Sequence, residues 1–292
     1  MKHIIQLYLT EIEATKGYSP LTIKSYSKDL EQFYKFCLSQ NKVDISLINE
    51  KTIKQFLVHL NELKREKSSI SRKLSSIRSF FSYAFKKELI ERNLIAYIKN
   101  PKVSRKLPEV ISEGLYTTLL DAIHKSGHKE KLLHAAIIEV LYGCSMRVSE
   151  ACNLLYKSVD FSASTIRVLG KGNKTRIVPL GEKSKTVLQE YLAGRPVEKN
   201  QLYFFLKSDS SIVLSNYTYR FVRKYLSSLT DLKKKSPHIF RHSSATHMLT
   251  HGADLLAIKE ILGHSNLSTT QIYTQVSIER LKNVYKKTHP KS

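Results

Sequence analysis

Thr165-Ile-Arg-Val-Leu-Gly-Lys-Gly-Asn-Lys-Thr-Arg-Ile-Val-Pro179 reads as strand, turn and strand. The runs 165–169 and 175–179 flank Gly170-Lys171-Gly172-Asn173, so the segment is expected to fold back as an antiparallel hairpin. Around it the apolar residues recur at helical spacing. The expected fold is therefore mainly α, with a helical bundle followed by a mixed, mostly α-helical domain that carries a small antiparallel β-sheet.

Working outward from the hairpin, a helix is expected from about Lys129 to Tyr142, ended by Gly143 at the C′ position, and a short one from Ser149 to Leu155. Beyond the hairpin, helices are expected over 215–229, 238–251, 255–262 and 277–287. In the first hundred residues Ile5, Leu9 and Ile12 form one stripe. Ser19-Pro20 supplies an N-cap and a first-turn proline for a second stripe of Ile23, Tyr26, Leu30, Phe33 and Cys37. Asn49 can cap a third helix (Ile53, Phe56, Leu60, Leu63), and Ser69 a fourth (Ile70, Leu74, Ile77, Phe81, Phe85). Two prolines in Asn100-Pro-Lys-Val-Ser-Arg-Lys-Leu-Pro108 mark a linker, which divides the chain into 1–100, 101–108 and 109–292.

Charge sets the partner class. The 292 residues hold 48 Lys and Arg against 25 Asp and Glu, a formal +23 that calls for a polyanion. Residues 1–100 carry 18 basic and 10 acidic residues, so the excess is spread over both parts, as in a clamp, and is not held in a tail. A membrane is not the expected partner: the apolar run Ala135–Tyr142 is short and broken by Glu139, and Glu11 and Glu13 interrupt any secretory segment. Cys37, Cys144 and Cys152 are odd in number and lack metal-ligand spacing, which fits a reducing cytoplasm. On the fourth helix Arg72, Lys73 and Arg78 lie off the apolar stripe, as a solvated face or a DNA contact. Lys102, Arg105 and Lys106 suit a strap across a phosphate backbone, or a plain connection.

Three segments can carry chemistry. Gly170-Lys-Gly-Asn-Lys-Thr175 is rich in Gly and Lys but fails the P-loop spacing, so it is either a hairpin tip holding Lys171 to a phosphate or an ordinary turn. His238, His242, His247 and His251 fall in i, i+4 pairs. No Glu follows the first His as in His-Glu-x-x-His, and no metal is expected. In Pro237-His-Ile-Phe-Arg-His242, Arg241 follows His238 by about one helical turn, so both can address one anion. In Leu262-Gly-His-Ser-Asn-Leu-Ser-Thr-Thr-Gln-Ile-Tyr-Thr274, Gly263 permits a tight helix end before His264, and Tyr273 follows in a polar context. Any one of 16 tyrosines is most often a packing residue.

Taken in order, Arg147 within Tyr142-Gly-Cys-Ser-Met-Arg-Val-Ser-Glu-Ala151, Lys171, His238-x-x-Arg241, His264 and Tyr273 resemble the tyrosine recombinase family over nearly the whole chain. The Xer-type site-specific recombinases, enzymes of chromosome dimers, are nearest in size and plan. They share an N-terminal stretch like Gly17-Tyr-Ser-Pro-Leu-Thr-Ile-Lys-Ser-Tyr-Ser-Lys-Asp-Leu30. The resemblance implies an N-terminal four-helix SAM-like core-binding domain and a C-terminal catalytic domain. Tyr273 would form a 3′-phosphotyrosine, Arg147 and Arg241 would clamp the phosphate, and Lys171 would protonate the 5′-oxygen. His238 would assist proton transfer, His264 would hydrogen-bond the phosphate, and Glu150, one turn after Arg147, would orient the cations. No cofactor is implied.

The implied partner is double-stranded DNA with an inverted-repeat core site, bound by a homo- or hetero-tetramer joined through the C-terminal helix. A paralogous recombinase and a DNA translocase are further partners of such enzymes. The helix of Ile278, Leu281 and Tyr285 is expected to dock on a neighbouring protomer in the DNA-bound state. Met146 and Ser244 depart from the family pattern, and the second puts a packing contact in doubt. A mobile-element integrase would use the same chemistry, a type IB topoisomerase would relax supercoils without a defined site, and a silent DNA-binding protein would have no use for the nucleophile. Helical pattern beginning at Ile4 favours the Xer plan over integrases with an extra arm-binding domain.

Overall fold

The computed structural model describes residues 1–15, 18–93, 95, 98–101, 109–170, 174–196, 202–263 and 284–290. The chain divides into two compact units, Met1–Lys106 and Leu107–Ser292, each with its own hydrophobic core.

Four helices build the first unit: α1 (Lys2–Thr15), α2 (Pro20–Ser39), α3 (Glu50–Glu62) and α4 (Lys67–Lys86). Ser19 caps α2 by accepting the Thr22 N–H at 3.3 Å, and Pro20 opens the helix, where its missing donor costs nothing. Asn49 and Thr52 form a reciprocal capping box on α3. The fourth helix departs from expectation. It begins at Lys67, so Ser69 lies inside its first turn and caps nothing. Its buried face uses Ile70, Leu74, Ile77, Phe80, Phe81 and Ala84, while Phe85 is 45% exposed. A period of 3.6 residues carries the inward stripe from Phe81 to Ala84 and leaves Phe85 turned away. Leu63 is likewise exposed, because it sits past the end of α3 as its C-cap.

The second unit is assembled around α6 (Lys131–Tyr142), whose residues 133–142 are all buried. A helix buried on every side must be apolar all round or have its polar groups satisfied. Glu139 meets that requirement by accepting hydrogen bonds from Tyr116 Oη and Ser184 Oγ, both at 2.6 Å. These partners lie on α5 (Glu113–Lys125) and α8 (Glu182–Gly194). Both helices, together with α10 (His238–Thr250), pack on α6. The remaining elements are α7 (Val148–Cys152), α9 (Ser215–Leu229) and α11 (Leu255–Leu262), and residues 284–288 are also helical. The hairpin strands are β2 (Thr165–Leu169) and β3 (Thr175–Pro179), antiparallel with Val168 opposite Arg176. A two-residue strand, β1 (Val159–Asp160), extends the sheet in the order β1-β2-β3.

Gly143 is required for a different reason from the one its place after Tyr142 suggests. It is right-handed (φ −58, ψ −45), not a left-handed cap. A Cβ there would stand 2.4 Å from Ser184 Oγ and 2.5 Å from Glu139 Oε1, so the buried carboxylate network leaves no room for one. The left-handed residue in this turn is Ser145 (φ 49). Among the described residues no helix is long and apolar enough to cross a membrane. Lys102, Arg105 and Lys106 lie outside the described residues.

Candidate active site

The loop after α6 ends at Arg147, which has extended backbone and caps α7. One turn later Glu150 reaches back. Its Oε2 accepts the Arg147 backbone N–H at 2.8 Å and its Oε1 accepts Arg147 Nη1 at 2.6 Å. Two further guanidiniums arrive from distant parts of the sequence. Arg176 on β3 donates from both terminal nitrogens to the two carboxylate oxygens at 2.8 Å each, the fork geometry that carboxylates favour. Arg241 on α10 places Nη1 3.7 Å from Glu150 Oε2. Its hydrogen bonds go to backbone, 2.5 Å to the Ser145 carbonyl and a second to the Leu262 carbonyl.

Three guanidiniums therefore share one carboxylate, which leaves a local excess of positive charge. Burial alone would raise the Glu150 carboxyl, but the Arg176 and Arg147 bonds outweigh it and hold it down at about 2. Burial, then Arg147 and Arg176, lower Arg241 to about 9, so it still carries its proton at neutral pH. Glu150, Arg176 and Arg241 are buried, while the Arg147 side chain keeps a third of its surface in solvent. Arg147 is therefore the most solvent-accessible of the three guanidiniums.

His238 opens α10 one turn before Arg241 and stays open to solvent, its ring 6.2 Å from that of Tyr219. What burial it has lowers its pKa, and Arg241 and Arg147 lower it further, which favours the neutral ring. Two further histidines, His247 on α10 and His251 just after it, have separate partners. His247 Nδ1 lies 2.8 Å from Tyr142 Oη, and His251 Nδ1 lies 3.1 Å from the Thr288 carbonyl. Among the described residues no group of three His, Cys, Asp or Glu side chains could hold a metal.

Lys171, His264 and Tyr273 lie outside the described residues, but the residues just before Lys171 and His264 are described. Gly170 N–H bonds the Lys174 carbonyl at 2.8 Å, closing the hairpin beneath its tip. Gly263, immediately before His264, ends α11 in the left-handed conformation (φ 61). A Cβ on it would meet Arg176 Cδ at 2.8 Å.

Arg176 is not among the candidates from sequence, yet it makes more hydrogen bonds in the cluster than either expected arginine. A signal for it existed. On β3 the side chains alternate, and Arg176 shares the inward face with Val178 and stands opposite buried Val168. An arginine on the buried face of a strand requires a buried acceptor.

The three α4 cations, read from sequence as a solvated face or a DNA contact, have partners within the first unit. Arg72 and Lys73 both bind Asp29, which is 1% exposed, the lysine at 2.9 Å, and Ser76 Oγ adds a bond at 3.3 Å. Arg78 bonds the Ile98 carbonyl at 2.8 Å and Asn100 Oδ1 at 3.2 Å. Lying off the apolar stripe did not leave them without partners, because a neighbouring helix supplied a buried carboxylate to Arg72 and Lys73 and the chain at 98–100 supplied oxygens to Arg78. Ile278 and Leu281 lie outside the described residues, but Tyr285 packs on its own chain, its hydroxyl donating to the Gly143 carbonyl at 2.7 Å and its ring stacked on His289. His289 Nε2 sits 3.0 Å from Ser244 Oγ, which is 2.6 Å from Ser145 Oγ. Polar contacts thus occupy the position where the family pattern suggests an aromatic one.

The family model described as "Phage integrase family" matches residues 109–280, and "Phage integrase, N-terminal SAM-like domain" matches 5–88. The chain is 36% identical to tyrosine recombinase XerC of Pediococcus pentosaceus, over 99% of this chain and 98% of that protein. It is also 36% identical to XerC of Pelobacter propionicus, over 99% and 95%. The solved structure of XerH site-specific recombinase bound to palindromic difH substrate is similar with a TM-score of 0.71 at 26% identity, covering 90% of this chain and 78% of that one. The Tn1549 transposon integrase in complex with circular intermediate DNA shares the fold, with a TM-score of 0.72 at 21% identity over 95% and 98%. The chain therefore belongs to the phage integrase family of tyrosine recombinases, enzymes that break and rejoin DNA strands, and is similar to the XerC proteins along nearly its whole length.

Proposed function

We propose that this enzyme acts on double-stranded DNA at an inverted-repeat core site, through a covalent 3′-phosphotyrosine on Tyr273, and resolves chromosome dimers as a Xer-type recombinase. The observation that carries the chemistry is the cluster of Arg147, Arg176 and Arg241 around the single carboxylate of Glu150, with Arg147 open to solvent. Such a cluster is short of negative charge, and a scissile phosphate supplies it. As the Tyr273 oxygen attacks phosphorus, Arg147 and Arg241 neutralise the charge on the non-bridging oxygens of the pentavalent transition state. The phosphorus–O5′ bond breaks, and Lys171 donates the proton that the leaving oxygen needs. His238, whose neutral form is favoured by burial and then by its cationic neighbours, takes the phenolic proton, and His264 hydrogen-bonds the phosphate. A 5′-hydroxyl from a second duplex then reverses the step, so the bond energy is conserved without a nucleotide.

Residues 1–100 act as the core-binding domain, 101–108 as a basic strap carrying Lys102, Arg105 and Lys106, and 109–292 as the catalytic domain. DNA bound to the similar XerH structure, and the XerC identity, support this choice of partner and role. Arg72, half exposed, keeps donors for a phosphate, and Lys73, 12% exposed, serves Asp29 instead. The working assembly is a tetramer on DNA, homo- or hetero-, in which the tail leaves the cis position for a neighbouring protomer; a paralogue and a translocase complete the system.

Covalent capture tests the proposal. Wild-type enzyme and Tyr273→Phe are incubated with nicked genomic fragments, and the strands that stay protein-linked after denaturation are sequenced. Adducts at one inverted-repeat locus, absent from the variant, are expected. Adducts scattered over the genome would indicate a topoisomerase-like activity, and none at all, with DNA still bound, would remove the phosphotyrosine step.

A further inference from the structure

Arg176 joins parts of the second unit that are far apart in sequence. Its terminal nitrogens hold both oxygens of Glu150, at 2.8 Å each. Its Nε donates to the Ile261 carbonyl at 2.8 Å, in the last turn of α11. Its aliphatic stem lies where a Cβ on Gly263 would be, with Cδ 2.8 Å from that point. The side chain is 5% exposed, and with every nitrogen donating inside the protein it has no open face for DNA.

We propose that Arg176 is a positioning residue for strand cleavage: one planar guanidinium fixes the carboxylate that Arg147 binds and, from its opposite edge, the α11 terminus after which the chain continues to His264. The inference rests on the phosphotyrosine reading above. The geometry suits arginine alone. Three nitrogens in a rigid plane serve a bidentate carboxylate on one edge and a carbonyl on the other, whereas a lysine offers one compact ammonium on a flexible stem. The left-handed turn at Gly263 belongs to the same device, since φ 61 and the missing Cβ let α11 close over the arginine stem. Arg241 is tied in from the other side, because its Nη2 donates to the Leu262 carbonyl, the residue after the one Arg176 holds. Both cations that address Glu150 from a distance thus also grip the end of α11, so the cluster and this terminus hold one another in place.

The test compares wild type, Arg176→Lys and Gly263→Ala, with Tyr273→Phe as the chemical control, on a nicked duplex carrying the captured locus. The lysine keeps the charge and loses the fork, and the alanine disturbs the same contact with the arginine intact. Both variants should bind the duplex with the wild-type Kd and salt dependence, while single-turnover adduct formation slows by about a hundredfold, the scale set by an ångström of misplacement. Hydrogen exchange of the 255–263 peptide should speed up in both variants without loss of the cooperative melting transition. Adduct formation within about threefold of wild type in both variants would overturn the proposal, on the same scale. Slowing matched by an equal loss of DNA affinity would do so too. An adduct missing from wild type itself would overturn the phosphotyrosine reading together with this one.

Discussion

Asp29 and Glu150 are both buried carboxylates held by basic side chains, one in each unit, and they end in different kinds of site. Asp29 receives Arg72 and Lys73 from the neighbouring helix, with Ser76 as a third donor, and Lys73 is almost removed from solvent. Glu150 faces three guanidiniums, and only two of them, Arg147 and Arg176, hydrogen-bond it. The first arrangement nearly closes on itself and serves mainly to lock two helices together. The second gathers three guanidiniums on one carboxylate where the first has a single guanidinium and a lysine, and it keeps Arg147 at the solvent edge. The lesson concerns counting: a basic residue beside a buried acid is a clamp when the acid has donors enough of its own, and an anion site when guanidiniums outnumber it.

The largest expected effect tests the Glu150 side of that contrast. Arg147→Ala and Arg241→Ala should each slow single-turnover adduct formation by about a thousandfold, on the scale of losing one transition-state donor. The matching changes around Asp29 should leave the rate untouched, and equal losses at both places would erase the distinction. Next come the acids themselves. Glu150→Gln strands buried cations and should cost roughly 3 kcal/mol of stability in denaturant melts and impair cleavage, while Asp29→Asn, whose cations keep more solvent, should cost less and leave cleavage unimpaired.

The pH dependence sharpens the same comparison. Because Glu150 sits at about 2 in the folded protein against an ordinary 4.5, its stabilisation is complete above the higher value and fades as pH falls through the lower. Melting temperatures recorded from pH 5 to pH 2 should therefore drop more steeply for wild type than for Glu150→Gln. The steric limit beside the cluster is read by Gly143→Ala, which should lose about 2 kcal/mol by crowding Ser184 and Glu139, measured by chemical denaturation. The smallest effect belongs to half-exposed Arg72. Arg72→Gln should reduce the slope of log affinity for DNA against log salt by about 1, while Lys73→Gln should leave that slope alone.

Legibility along the chain followed the kind of signal each residue carries. Ser19-Pro20 and Asn49 announce helix starts through local hydrogen bonds, and both helices begin where those residues stand. Ser69 offers the same chemistry, but α4 packs its inward face from Ile70 and starts three residues earlier, so tertiary burial overrode the local cap. Helices α5 and α8 are not among the helices expected from sequence, although Ser112 caps α5 and Tyr116, Leu119, Leu120 and Ile123 keep helical spacing. Short polar-rich segments spread such a stripe thinly, and α8 buries only Ser184, Leu188 and Tyr191. In the site, Arg147 and Glu150 came with the family resemblance, whereas the His238–Arg241 pair could be named from spacing because the two lie one helical turn apart. Arg176 could not, since its partners Glu150 and Ile261 are 26 and 85 residues away.

Residue order settled the helical period, the hairpin at 165–179, the excess of positive charge and the family motifs, because each is encoded in neighbours a few positions apart. Three-dimensional packing settled which charges are spent and which remain. It paired Arg72 and Lys73 with Asp29, turned Arg176 inward to Glu150, folded Tyr285 and His289 back onto their own chain, and left Arg147 at the surface. Those outcomes depend on which carboxylates and carbonyls are buried within hydrogen-bond reach. A buried charge must find its partner wherever the fold brings one, so the partner's position in sequence is free to vary.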